Sequence, residues 1–406
     1  MRAALLVSCY PLGTSTILLN IIRLLRLRGV DLDIVIDQGS LADAPLPLDS
    51  GIRIITPQRS FWQRLKRKLL PNYVRRSVEK AGLGPLYAEY AGWADFAVWA
   101  GEWIGKTAYD LVFFASYPAL FAAGAATARP CGVYLNLELL DADDSPSEYG
   151  DKALMRSLEH ARLSKIHRVI AMSPRRREIF IEMTGFSPDS VKVLPIMPLG
   201  GLRPRTGTYF RSLFGITPET CLVLYSGGIG SWGQQLELVQ SVRHWPQNCA
   251  LVMHCGQAYL FETEYGQALC KAGEGFPVYF SSETLEYGTL CEAMTSADIG
   301  VAHYKDIDAN FTEILFSSNK IGEYLCSGLP IICSPQASLK QFVDANGIGQ
   351  ALPVEQMPQA LYAILADLER YRCAVRRCVE QHFDFKAWFE QALGDLLPKE
   401  KTHDGR

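Results

Sequence analysis

The chain has 406 residues, 48% of them apolar and 20% charged, with a formal net charge of −3. That length exceeds one ordinary hydrophobic core, so two domains are expected, and the charge balance gives no general argument for a nucleic-acid partner. Eleven cysteines, an odd number without a C-x-x-C pair, argue against a disulfide framework or a zinc site and fit a reducing cytosol.

The first apolar run, Ala3–Cys9, is too short for a signal peptide and reads as a buried parallel strand. No apolar run is long enough to span a bilayer. A loop with Pro11 and Gly13 follows, then a helix over Ile17–Leu27 stopped by Gly29, then a strand over Leu32–Ile36. This β-loop-α-β opening predicts a Rossmann-like domain. The loop lacks G-x-G-x-x-G, which argues against a dinucleotide enzyme. Gly13 and Thr14 are either a plain tight turn or a place where backbone approaches a ligand.

Residues 58–77 carry Arg59, Arg64, Lys66, Arg67, Lys68, Arg75 and Arg76 with no acid among them, interleaved with Phe61, Trp62, Leu65 and Tyr73. Basic side chains beside large apolar ones suit an anionic membrane surface or a lipid-linked acceptor. A solvated basic face is the plain alternative. Nucleic acid is a weaker one and is not expected as a partner, because no RNA-binding motif accompanies the patch. Trp93, Phe96, Trp99 and Trp103 recur at helical spacing and read as a core stripe, with an acceptor platform as the minority alternative.

A strand over Leu111–Ala115 ends where Ser116-Tyr117-Pro118 begins a loop. The strand Gly132–Leu137 runs into Glu138, at the carboxyl end where open α/β sheets hold ligands. Glu138 is therefore the candidate catalytic, acceptor-side carboxylate. Asp141-Ala142-Asp143-Asp144 has the look of a metal-binding Asp-x-Asp run, but Ser145-Pro146-Ser147 marks it as an acidic loop, and no metal is expected. A helix over Ala153–Lys165, a strand over Arg168–Met172, a Ser173-capped helix over Pro174–Thr184 and a strand over Val191–Leu194 complete the first half.

Residues 194–204 are rich in Pro and Gly and read as a linker. The expected division is 1–200, 201–380 and a crossover helix with tail at 381–406. After the linker the pattern restarts. Strand Cys221–Tyr225 leads into Ser226-Gly227-Gly228-Ile229-Gly230-Ser231-Trp232-Gly233, a turn whose backbone N–H groups can approach phosphate, then a helix over Leu236–His244. Strands follow at Ala250–Met253, Pro277–Phe280 and Ala297–Ala302, with a helix over Leu285–Ser296 and a polar loop over His303–Phe316.

The most informative stretch is Ser317–Pro335. Ser318 is a good N-cap, Gly328 suits the left-handed position after a helix, Pro330 prevents continuation, and Ile331-Ile332-Cys333 is a short buried strand. A helix N-terminus with Lys320 attracts phosphate, and Glu323, on the face of Asn319, can accept bonds from a sugar diol.

Ser318-Asn319-Lys320, Glu323-Tyr324, Gly328 and Pro330-Ile331-Ile332 together resemble the donor segment of GT-B glycosyltransferases of the retaining family 4, or group 1, type. The resemblance is clear over about 221–335. It implies an α/β fold with two Rossmann-like domains facing a cleft and a C-terminal helix crossing back to the first. It implies no cofactor, a nucleoside diphosphate sugar as donor, and a glycan or lipid-linked acceptor in bacterial polysaccharide assembly. The implied place is the cytoplasm, with peripheral attachment to the inner face of the plasma membrane. The implied donor residues are Gly13, Gly227, Gly228, Ser318, Asn319, Lys320 and Glu323.

Two departures stand against this pattern. Residues 226–240 hold no Lys or Arg, where the family places cations for the diphosphate. The first carboxylate of the family's E-x7-E pair would fall at Leu315, and Glu313 is out of register. Lys320, with His303 or Lys305, is the expected replacement cation. A non-catalytic GT-B subunit and a nucleotide-sugar epimerase remain the alternatives.

Overall fold

The computed structural model describes residues 1–37, 40, 51–57, 71–124, 131–140 and 151–400. The basic candidates Arg59, Arg64, Lys66, Arg67 and Lys68, and the acidic run at 141–144, lie outside the described residues. The chain forms two compact units, Met1–Leu194 with Trp388–Arg406, and Pro195–Ala387.

In unit 1 the strands are β1 (Arg2–Val7), β2 (Asp31–Ile36), β3 (Ile52–Ile55), β4 (Leu111–Ala115), β5 (Cys131–Asn136), β6 (Arg168–Ala171) and β7 (Val191–Val193). They pair in parallel in the order β3-β2-β1-β4-β5-β6-β7. β1 and β4 are central, so Ala3–Val7 and Leu111–Ala115 are buried throughout, and their sequences are apolar runs for that reason. Within β2, the buried Asp33 gathers Arg2 (3.0 Å), Arg53 (2.7 Å) and the Tyr109 hydroxyl (2.6 Å) at the amino-terminal side of the sheet. Burial works against its ionisation, but bonds from Tyr109, Arg53 and Arg2 hold its carboxyl below the usual range.

Unit 2 holds β8 (Cys221–Ser226), β9 (Cys249–His254), β10 (Val278–Ser281), β11 (Ile299–Ala302), β12 (Ile331–Cys333) and β13 (Gly349–Ala351). Their order is β10-β9-β8-β11-β12-β13, again parallel. The core under it joins Val223, Leu251, Ile299, Val301 and Ile332 to Leu238, Leu361 and Ile364 from flanking helices. At its amino edge Asp298 meets Arg205 (3.1 Å), Arg211 (2.5 Å) and Arg372 (2.8 Å) and accepts the Leu222 N–H (3.0 Å). Those guanidinium groups also bond the carbonyls of Ala297, Ser296, Thr217 and Thr220, so the cluster is a staple and not an open anion site.

Several expectations change. Ser116–Leu120 is a short helix and not a loop. The loop at 303–316 contains the helix Ala309–Thr312, capped by Asp308, which accepts the Asn310 N–H at 2.9 Å. The aromatic stripe is only partly core. The helix Ala91–Lys106 buries Ala94, Ala97, Ala100, Gly101 and Ile104, a small-residue face that packs closely, together with Phe96. Trp93, Trp99 and Trp103 are half-buried at its margin, where Trp99 and Trp103 stack at 6.2 Å and Tyr90 stacks on Trp93 at 5.0 Å.

Candidate functional site in the second unit

The strand order of unit 2 reverses between β8 and β11. In open α/β sheets the crevice at that reversal, outside the carboxyl ends, is where ligands bind. Two connections leave the sheet there, 227–234 after β8 and 303–318 after β11. Each contains a non-glycine residue in the left-handed region, Gln234 (φ 50°) and Phe316 (φ 63°). Such residues persist where surrounding structure over-determines them, commonly at functional sites.

The glycine-rich turn is anchored at its start. Ser226 N–H donates to the Tyr324 hydroxyl (2.7 Å) and Gly227 N–H to the His254 carbonyl (2.9 Å), so the part left to face a ligand begins at Gly228. Tyr324 is fully buried, and its ring lies on Gly300, where a Cβ would come within 2.4 Å of it. That contact explains the glycine in Ala297–Gly300 and fixes the helix against β8 and β11.

The helix is Asn319–Cys326, with Ser318 as N-cap accepting the Ile321 N–H, and Gly328 at φ 74° beyond its end. Ser318 Oγ also shares a 2.6 Å hydrogen bond with the Tyr304 hydroxyl, so the cap is tied to the connection after β11. Asn319 Oδ1 is buried and has no hydrogen-bond partner among the described residues.

Lys320 reaches from this helix to the glycine-rich turn. Its ammonium lies 5.0 Å from the Tyr225 ring centroid, 5.1 Å from Trp232 and 5.0 Å from Tyr304, and 3.5 Å from the Tyr225 hydroxyl. Each ring face attracts a cation. A Cβ on Gly227 (φ 146°) would stand 3.0 Å from that nitrogen, so the absence of a side chain there makes room for the lysine. Burial pulls the Lys320 amine down to about 8, with the Cys255 thiol opposing. Among the described residues no carboxylate pairs with it.

The other expected cations fare differently. His303 is fully buried, neither ring nitrogen has a partner among the described residues, and burial lowers it to about 3, so it is neutral and does not supply positive charge. Lys305 lies 3.9 Å from Glu237, and its backbone N–H closes on the Trp232 carbonyl at 2.8 Å.

Glu323 is buried and already bonded. Tyr287 donates to Oε1 (2.6 Å), while Arg203 pairs with Oε2 (2.8 Å), which also takes the Cys291 thiol (3.7 Å). Sequence reasoning missed Arg203 and Tyr287. Gly228 contributes its carbonyl, which accepts from Tyr225 (2.8 Å) and Gln235 (3.2 Å). Thus Gly227, Gly228, Ser318, Asn319, Lys320 and Glu323 all belong to unit 2. Gly13 does not: it is buried in a 3-10 turn, Leu12–Thr14, of unit 1.

Glu138 is exposed just beyond β5, at the carboxyl edge of the first sheet. Asn136 Nδ2 bonds its carbonyl at 3.2 Å. Burial, then the charge of Glu138, pushes the nearby Tyr10 hydroxyl up to about 12, against Ser15 and Arg176. Sequence reasoning missed a second carboxylate here. Glu159 is buried and accepts from Tyr134 (2.6 Å) and Asn136 (3.3 Å). Burial raises it to about 7, opposed by those two bonds. A glutamate on the same helix face as Met155, Leu158 and Leu163 was the available signal. Order also reverses in this sheet between β1 and β4, and Cys9 (φ 56°) and Ser116 (φ 67°) follow those two strands in the left-handed region. Asp37 holds that first turn, accepting the Cys9 N–H (2.9 Å) and the Ser40 hydroxyl (2.8 Å).

Among the described residues no three His, Cys, Asp or Glu side chains converge as a metal site, and no helix is long and apolar enough to cross a membrane.

Residues 13–196 match the sequence model of the glycosyl transferase 4-like domain. A search of curated protein sequences gives no match. Among solved structures, sucrose-phosphate synthase from Thermosynechococcus elongatus is similar at a TM-score of 0.65 and 16% identity, over 98% of both chains. Anabaena HepE in complex with UDP-glucose is similar at 0.66 and 15%, over 98% of this chain and 99% of that one. WaaG, a glycosyltransferase involved in lipopolysaccharide biosynthesis, is similar at 0.61 and 13%, over 97% and 99%. Two parallel Rossmann-like units and this likeness along the whole chain show a GT-B fold, and residues 13–196 match a glycosyl transferase 4-like domain.

Proposed function

We propose that the protein transfers a sugar from a nucleoside diphosphate sugar to an acceptor hydroxyl, with the donor held by unit 2. One observation carries the reading. The Lys320 ammonium stands at the glycine-rich turn, at the strand-order reversal, with aromatic rings around it and no carboxylate beside it among the described residues. A buried cation lacking an anion is unfavourable, and a diphosphate is the anion such a place suits.

In the reaction the bond between sugar C1 and the diphosphate oxygen breaks, and a bond from C1 to the acceptor oxygen forms. Negative charge grows on the leaving diphosphate. Lys320 and the N-terminus of helix Asn319–Cys326 meet that charge, a role a fixed cation performs without a bound metal. Glu138 is the acceptor-side carboxylate and takes the proton the acceptor hydroxyl loses. Transfer with retention is the expectation that the group 1 resemblance supplies. A glycan or lipid-linked acceptor on the cytoplasmic face of a membrane is the reading that residues 58–77 favour, with seven Arg and Lys and no acid.

Titration calorimetry with UDP, GDP and ADP tests the donor site. UDP is the first candidate because HepE was solved with UDP-glucose. Binding of one nucleotide in the micromolar range supports the proposal, and no binding of any at millimolar concentration overturns it. Incubation with donor alone separates an epimerase, which interconverts the sugar without acceptor. Tight nucleotide binding with no turnover on any acceptor would assign the chain to a non-catalytic subunit, the reading that Leu315 favours.

A further inference from the structure

We propose that the Tyr225 hydroxyl, oriented by Gln235 and Tyr265, is a positioning residue that keeps the Lys320 ammonium charged and aimed at the glycine-rich turn. Its functional meaning rests on the donor-site proposal, while the hydrogen-bond relay itself stands without it.

The bond directions follow from the Gly228 carbonyl, which can only accept and lies 3.2 Å from the Gln235 amide, so that the amide nitrogen faces Gly228 and Tyr225 and its oxygen faces Tyr265. Leu236 N–H can only donate, so the Tyr265 oxygen accepts it (3.2 Å). The Tyr265 proton then goes to Gln235 Oε1 (3.1 Å), which can only accept. On the other side of the Gln235 amide, Nε2–H donates to the Tyr225 oxygen (2.6 Å). Tyr225 in turn gives its single proton to the Gly228 carbonyl (2.8 Å). What remains on the Tyr225 oxygen is a lone pair, and the group beside it is the Lys320 nitrogen at 3.5 Å. The hydroxyl has no second proton, so it can receive an N–H from lysine and cannot give one. Either form of the amine can donate there, but a charged N–H makes the stronger bond, so the lone pair favours the ammonium.

Burial strengthens the case. Gln235 is fully enclosed and Tyr225 nearly so, which makes each unmet bond in the relay costly and the arrangement rigid. The same hydroxyl also holds Gly228 through its carbonyl, so one atom sets both the lysine and the turn. The other titratable groups facing Lys320 are the Cys255 thiol after β9 and the Tyr304 hydroxyl after β11, whose partner is Ser318. Lys305 and Glu237, on the neighbouring connections, pair with each other.

The test is a pH titration of full-length protein carrying 13Cε-lysine, with Lys320 assigned by the signal lost in Lys320→Met. It is run without nucleotide on the wild type, Tyr225→Phe and Tyr265→Phe, and followed by UDP calorimetry at pH 6.5 and pH 8. Tyr225→Phe should lower the Lys320 midpoint by about one pH unit, the worth of one hydrogen bond from a charged donor, and Tyr265→Phe by less. UDP affinity of Tyr225→Phe should fall about fivefold at pH 8 and recover toward wild type at pH 6.5, where the amine is mostly charged in both. A merely structural tyrosine would give the same loss at both pH values. An unchanged Lys320 midpoint in folded Tyr225→Phe overturns the proposal. Should that variant not fold, an unchanged midpoint in Tyr265→Phe overturns it instead. A shifted midpoint in a wild-type background that binds no UDP would uphold the relay and sink the donor site.

Discussion

The Arg203 guanidinium lies 2.8 Å from the Glu323 carboxylate, inside unit 2, near the end of the Pro- and Gly-rich stretch 194–204. The pair is mostly shielded from water, and Tyr287 completes it from the helix Tyr287–Met294. Glu323 therefore holds three separated pieces of chain together. Removing one partner of a shielded ion pair leaves the other uncompensated, at a cost of about 3–5 kcal/mol. Glu323→Ala should lower the unfolding midpoint in urea markedly, besides any loss of nucleotide binding. Equal stability of mutant and wild type would show that the pair contributes nothing to the fold.

Lys320 behaves oppositely. It is a cation without an anion, so Lys320→Met should leave the melting temperature unchanged or raise it. Nucleotide affinity should fall by at least about tenfold, the worth of one charge-assisted contact. Gly227→Ala should move in the same direction on binding, because its Cβ would push against the lysine nitrogen at 3.0 Å. It should also destabilise by about 1–2 kcal/mol, since φ 146° is a region that L side chains rarely adopt. Wild-type UDP affinity in either variant would remove this corner of the crevice from the donor site.

Glu159 gives unit 1 a pH dependence. Its carboxyl is raised to about 7 in the folded chain against an ordinary 4.5, so the folded state holds the proton more tightly than the unfolded one. The resulting stability is complete below pH 4.5 and is lost as pH rises toward 7, by about 3 kcal/mol in all. Glu159→Gln removes the charge and keeps the shape. Its stabilisation over wild type should be large at pH 8 and small at pH 5, as read by thermal melts at the two values. A pH-independent difference would contradict the raised carboxyl.

Asp298→Ala should be among the most damaging single changes in unit 2. It strands Arg205, Arg211 and Arg372 together and leaves the Leu222 N–H, near the start of the central strand β8, without its acceptor. A loss of about 3–5 kcal/mol is expected from urea unfolding. Nucleotide affinity in the surviving folded fraction should be unchanged, because Asp298 stands at the amino end of β11 and the donor crevice at its carboxyl end.

How much of this was legible in the chain depended on distance along it. The central strands could be read because a strand covered on both faces must be apolar throughout, as in Ala3–Val7. β3 and β13 went unread, the first a half-exposed strand broken by Arg53 and the second, Gly349–Ala351, without a large apolar residue. The cap at Ser318 and the stop at Gly328 were readable because capping chemistry is local. The aromatic surround of Lys320 was not. Tyr225 lies in β8, and Trp232 and Tyr304 come from two connections that meet only because β11 pairs with β8. Likewise no spacing rule joins Arg203 and Tyr287 to Glu323. The exchange of His303 for a neutral group was hidden for a third reason, since the charge of a histidine is set by its burial and not by its identity.

Each unit has a stiff end and a tense end. The amino ends of the strands are gathered by Asp33 and Asp298, each carboxylate held by arginines. The carboxyl ends carry the left-handed Cys9, Ser116, Gln234 and Phe316, and the Asn319 oxygen and His303 ring, which have no partner among the described residues. Selection for thermal robustness would thus meet an uneven landscape. Beneficial substitutions would accumulate on the tense side, where glycine at a left-handed position or an apolar residue for an orphaned one relieves strain. Variants improved in that way would be the ones to lose their ligand, so a stability screen without a binding screen would dismantle the site while polishing the scaffold.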